Sequence, residues 1–121
     1  NVVLKKNIYF HKPIYSNIRF NIMNISTALF LLSDLECDSI LAKEVWASKG
    51  LLITTKMSYN EDYYQKKIAL IVNQNFNSIM KAMTKTIDDR KKMDIIKENG
   101  YKYSLLSLNI IKNTKKLTIS Y

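Results

Sequence analysis

The sequence predicts an α+β domain in three parts: a short antiparallel sheet, three helices, and a β-hairpin. Three observations predict it. Lys6-Asn7-Ile8-Tyr9-Phe10 and the partly alternating Ile14, Tyr15, Ile18, Phe20 and Ile22 read as half-buried strands. Val72, Phe76, Ile79 and Met83 recur at spacings of four, three and four, the apolar seam of an α-helix. Asn99-Gly100 stands between Asp94-Ile95-Ile96-Lys97 and Tyr101-Lys102-Tyr103. Both of its residues tolerate φ > 0, as a two-residue hairpin turn requires.

The elements follow in order. The sheet is expected over about residues 6–31, interrupted by His11-Lys12-Pro13, with 24–31 readable as a third strand or as a helix start. Leu32-Ser33-Asp34-Leu35-Glu36 then opens a first helix, Ser33 as N-cap and Glu36 three residues on completing a capping box. Cys37, Ile40, Leu41 and Val45 give that helix its apolar face, and Gly50 ends it. Cys37 reads as a small packing residue and Trp46 as a core or edge anchor. After the extended Leu51-Leu52-Ile53-Thr54, a second helix is expected from about Thr55 to Lys67, with Tyr59, Tyr63 and Tyr64 packing inward. The third helix runs from about Ala69 to Lys85. Asp88-Asp89-Arg90-Lys91-Lys92 forms a charged joint, the hairpin occupies about 93–106, and Leu117-Thr118-Ile119 reads as a last strand. No linker divides the 121 residues, so residues 1–121 are expected to form one domain with a modest core.

Composition narrows the function. Nineteen Lys and Arg against ten Asp and Glu give a formal charge of +9, which points to a polyanionic partner. A single cysteine excludes an internal disulfide framework and a cysteine-built zinc site, and a single histidine leaves no histidine-based metal site. No cofactor is expected. No apolar run approaches the ~18 residues of a membrane span and no signal peptide is visible, so a cytoplasmic placement is expected. There is no Gly-rich phosphate loop and no nucleophile elbow. The carboxylates Glu61, Asp62, Asp88 and Asp89 sit among lysines as surface ion pairs do, so the chain is not read as an enzyme and no small-molecule substrate is expected.

An amide-bearing helix beside a basic hairpin suits duplex DNA. Asn73, Gln74, Asn77 and Ser78 fall off the apolar seam of the third helix and could reach base edges in the major groove. Lys81, Lys85, Arg90, Lys91 and Lys92 would meet phosphates. Lys97 and Lys102 flank the hairpin turn, with Asn99 at its tip.

The order of elements and three local pieces resemble the OmpR/PhoB-type winged-helix DNA-binding domain, in particular its ToxR-like branch of bacterial transcription regulators. The pieces are Leu32-Ser33-Asp34-Leu35-Glu36, Gly50-Leu51-Leu52-Ile53-Thr54, and Val72-Asn73-Gln74 through Lys81 followed by Ile95-Ile96 and Asn99-Gly100-Tyr101. The resemblance covers about residues 8–106. It implies a winged helix-turn-helix: N-terminal antiparallel sheet, three helices and a C-terminal β-hairpin wing, with the third helix in the major groove and the wing on the backbone or minor groove. It also implies pairing on repeated sites, a contact with RNA polymerase, and, as is common in that branch, a tether to the inner membrane. Met80 stands where the family carries Arg, and this departure favours an alternative, a non-catalytic adaptor of virulence or secretion type that kept the winged-helix shape. Less favoured are a basic RNA-binding protein and a nuclease toxin working through His11 with a lysine.

Overall fold

Two strand-like runs lack the alternation of a half-exposed strand. Leu51-Leu52-Ile53 and Ile68-Ala69-Leu70-Ile71-Val72 are continuously apolar, the pattern of strands buried on both faces of a parallel sheet. The structure, a computed structural model, has them so. It describes residues 7–33, 39–57 and 60–107. In chain order its elements are α1 (Ile18–Ile25), β1 (Leu29–Leu31), α2 (Ile40–Ala47), β2 (Leu52–Thr55), α3 (Tyr63–Lys66), β3 (Leu70–Val72), α4 (Phe76–Asp88) and α5 (Arg90–Ser107). The strands form one parallel sheet in the order β1-β2-β3. Leu29 is paired with Leu52 and Leu31 with Thr54; Ile53 is paired with Leu70 and Thr55 with Val72.

Alternate residues of the strands point to opposite faces. On one face Leu29, Leu31, Leu52 and Ile71 pack with Met23 of α1, Val45 and Trp46 of α2, and Tyr63 of α3. On the other, Ile53 and Val72 meet Ile79 and Ala82 of α4. The amino ends of the strands are closed by α5, whose Met93 and Ile96 pack on Ala28, Leu51 and Leu70. From there α5 passes to the α2 side, where Tyr103 makes an edge contact with Trp46 at 5.2 Å and 84°. Trp46 is 1% exposed. Its indole nitrogen donates to the Ile68 carbonyl at 2.9 Å, and Tyr63 meets it edge-on at 4.9 Å.

The winged-helix expectation is overturned: the sheet is parallel, and the residues expected to form the wing lie in α5. Where the amino-terminal antiparallel sheet was expected, residues 8–15 form no strand, Ile18–Ile25 is a helix, and only Leu29–Leu31 is extended. Ile18, Ile22 and Ile25 keep helical spacing as well as partial alternation, and the helix prevailed because Met23 packs on α2.

The first helix starts later than expected. Its N-cap is Ser39, whose hydroxyl accepts the Ala42 amide, whereas the Ser33 carbonyl accepts the Thr55 hydroxyl at 2.7 Å. Glu36 and Cys37 lie outside the described residues. The long second helix is cut to α3, because Thr54 and Thr55 belong to β2. The expected third helix divides into β3 and α4, with Asn75 as the cap between them. Val72 is thus a strand residue, and Phe76 and Met83 are 75% and 44% exposed rather than core.

The Asn99-Gly100 turn is replaced by the middle of α5. Met93, Ile96, Gly100 and Ser104 are its buried positions, a helical seam of three, four and four. Gly100 is needed there for closeness, not for a positive φ: a Cβ on it would stand 2.5 Å from Trp46 Cδ1. The expected strand at Leu117-Thr118-Ile119 lies outside the described residues.

Gly100→Ala discriminates between the two roles. In an open helix the change would stabilise by about 1 kcal/mol. Here overpacking against a ring held by Ile68 and two tyrosines is expected to destabilise by about 1–3 kcal/mol, seen as a lower midpoint in thermal unfolding followed by circular dichroism.

Candidate functional site

The two edges of the sheet differ. The amino edge is covered by α5, whereas the carboxyl edge carries the polar connections. β2 ends in the buried Thr54 and Thr55, and the next residue, Lys56, is exposed while its amide donates to the Val72 carbonyl at 3.2 Å. That bond sets the loop after β2 beside the loop after β3. The Thr55 hydroxyl bond to Ser33 adds the loop after β1. Three connections therefore meet along one line.

Asn60 holds this edge in shape. Its side chain is fully buried, donates to the Thr55 carbonyl at 2.8 Å and accepts the Met57 amide at 2.8 Å. With the side-chain oxygen and nitrogen both engaged, Asn60 fixes Lys56 and Glu61 on either side of a cavity of ≈ 240 Å³ that Tyr64 and Ile71 complete.

The loop after β3 is built by Asn75 and Ser78. Asn75 Oδ1 accepts the Ser78 amide at 2.9 Å, and the Ser78 hydroxyl accepts the Asn73 amide at 3.0 Å. These bonds aim the first turn of α4, with its Phe76 and Asn77 amides, at the open edge. An α-helix begins with amides that have no partner within the helix, and its dipole is positive at that end.

The residues expected to read DNA are distributed over both edges. Asn73, Gln74 and Asn77 are exposed at the carboxyl edge, with Ser78 half-buried beside them. Lys81 is exposed along α4, and Lys85 occupies its last turn. Arg90, Lys91 and Lys92 form the first turn of α5, at the amino edge. Lys97 is half-buried. Asn99 donates to the Lys67 carbonyl at 3.2 Å and so ties α5 to α3. Lys102 lies 3.9 Å from Glu98. The amides and the α5 lysines are separated by the length of α4, about 20 Å for its 13 residues, so they do not form the helix-and-wing surface. Nearby, the Lys66 ammonium is held above its ordinary value chiefly by its hydrogen bond to Asp62, with burial opposing.

Sequence reading missed Lys56, Asn60 and the exposure of Phe76. The unalternating apolar runs at 51–53 and 68–72 were the available signal, since parallel strands would have directed attention to the residues just after them. Among the described residues no group of three or more His, Cys, Asp or Glu could hold a metal ion, and no helix is long and apolar enough to cross a membrane. Comparison with protein-family models, curated proteins and solved structures found no match to this chain.

Asn60→Ala removes both side-chain bonds, leaving the part-buried Met57 amide without this acceptor and the buried Thr55 carbonyl with the long Thr54 hydroxyl bond at 3.5 Å. A loss of about 1–3 kcal/mol is expected in urea unfolding, with faster hydrogen exchange at Met57.

Proposed function

We propose that this chain is a ligand-binding α+β domain whose carboxyl edge takes a small phosphate-bearing molecule, a nucleotide first. The observation that carries this reading is the asymmetry of the sheet: among the described residues α5 packs over the amino edge, and the carboxyl edge carries polar groups with none of the described helices packed across it. In open parallel sheets ligands sit outside the carboxyl ends of the strands. There the Lys56 ammonium would pair with a phosphate, assisted by the first-turn amides of α4. The exposed Phe76 ring offers a face for a base, and Asn73 and Gln74 offer amides for ring edges or sugar hydroxyls. The chain's two glycines, Gly50 and Gly100, are both elsewhere, so phosphate contacts fall to side chains rather than to a glycine loop.

Titration of the chain with ADP and UDP, followed by ¹H–¹⁵N spectra, tests the reading. Saturable shifts are expected at Lys56 and across Asn73–Asn77, with Lys56→Ala weakening binding about tenfold or more and Lys102→Ala leaving it unchanged. No shift at about 10 mM nucleotide, well above a millimolar dissociation constant, would remove it.

Duplex DNA is the second reading, favoured by the +9 charge and by Lys85, Arg90, Lys91 and Lys92 around the α4–α5 corner. Binding there would rest on phosphate contacts, with no recognition helix paired to a wing. Lys91→Ala is then expected to reduce the slope of log affinity against log salt by about 0.9; an unchanged slope would separate Lys91 from DNA.

A further inference from the structure

A second concavity lies along the flank of β3. It has a volume of ≈ 450 Å³ and lies between α3, the start of β3 and the α4–α5 corner. Tyr64, Leu70 and Ile95 give it apolar walls, and Lys67, Lys85 and Lys92 also line it. Among the described residues no acidic side chain lines it. Among the described residues none of these three lysines has an ion pair. Their neighbours differ: Lys66 is paired with Asp62, Lys102 with Glu98, and Lys49 lies 4.5 Å from the Tyr101 ring.

Lys67 is also costly where it stands. Its φ is +52°, the left-handed conformation at the end of α3. Glycine is the usual residue there, and a side chain adds about 1 kcal/mol. The Asn99 bond to the Lys67 carbonyl holds this conformation, and with it the placement of one of the three cations.

We propose that this pocket binds a free anionic amphiphile with a single short alkyl chain and a carboxylate or phosphate head. The volume falls within that of small-molecule sites. Tyr64 and Ile95, 74% and 58% exposed, would be covered by the chain, and the three lysines, which have no ion pair among the described residues, would complement the head. Charge without an apolar body would leave Tyr64, Leu70 and Ile95 wet, and an apolar body without charge would leave the ammonium groups facing hydrocarbon. The pocket shares Tyr64 with the cavity at the carboxyl edge, but its three lysines take no part in the nucleotide reading, so the two can fail separately.

Titration of the full chain with sodium octanoate, followed by ¹H–¹⁵N spectra, tests the proposal, with sodium acetate and octyl glucoside as the charge-only and chain-only probes. Octanoate is expected to shift the Lys67, Leu70 and Ile95 amides saturably, and each control to bind at least about tenfold more weakly. Lys85→Gln with Lys92→Gln, both at exposed positions, should weaken octanoate about tenfold while leaving the thermal midpoint unchanged. Ile95→Asn should weaken octanoate but not the response to acetate. Equal binding of octyl glucoside, an unaltered affinity in the double lysine variant, or binding to anionic phosphatidylglycerol vesicles without binding to octanoate would each overturn the proposal.

Discussion

The Trp46 indole is where the fold is joined. It is buried between α2 and α5, its nitrogen bonded to the carbonyl just before β3 and its ring edges against Tyr63 and Tyr103. An indole N–H lost from water must find an acceptor, and Ile68 supplies one that belongs to neither helix. One side chain thus couples α2, α3, the approach to β3, and α5. Gly100 completes the arrangement by letting the α5 backbone lie against the ring.

Closing the amino edge has a consequence for chemistry. Once α5 crosses Ala28, Leu51 and Leu70, that end of the sheet is packed hydrocarbon. Backbone and hydroxyl groups at the carboxyl end are instead satisfied by one another: Thr55 with Ser33, Lys56 with Val72, Asn60 with Thr55 and Met57. Such a network ties together the described parts of three connections. It leaves Lys56, Glu61 and the start of α4 at the surface, held from beneath.

The same geometry separates features that lie close in sequence. Gln74 and Lys97 are 23 positions apart, yet α4 carries the chain from one edge to the other between them. The basic groups therefore do not reinforce the amide groups. Lys85 and Lys92 meet Lys67 across an apolar pocket instead, a grouping made by α3 and α5 coming together through Asn99.

Much of this protein could be read along the chain, and the misreadings have identifiable physical causes. Composition alone established the basic charge and ruled out an internal disulfide. Local pattern found an α+β chain, the packing role of Trp46, the helix over Ile79–Lys85 and the extended segment at 52–54. Alternation at 18–22 is compatible with two periods, and only the contact of Met23 with α2 selects the helical one. Ser33 and Ser39 are both adequate caps, and α2 takes Ser39, whose hydroxyl accepts the Ala42 amide. Asn99-Gly100 has the chemistry of a turn, but a glycine also permits close approach, and local sequence does not show that the ring of Trp46, 54 positions earlier in the chain, lies against it. Strand direction, the closed and open edges, and the gathering of Lys56 with Asn73 depend on which distant surfaces bury one another. Those are properties of tertiary packing, decided after local preference has been spent.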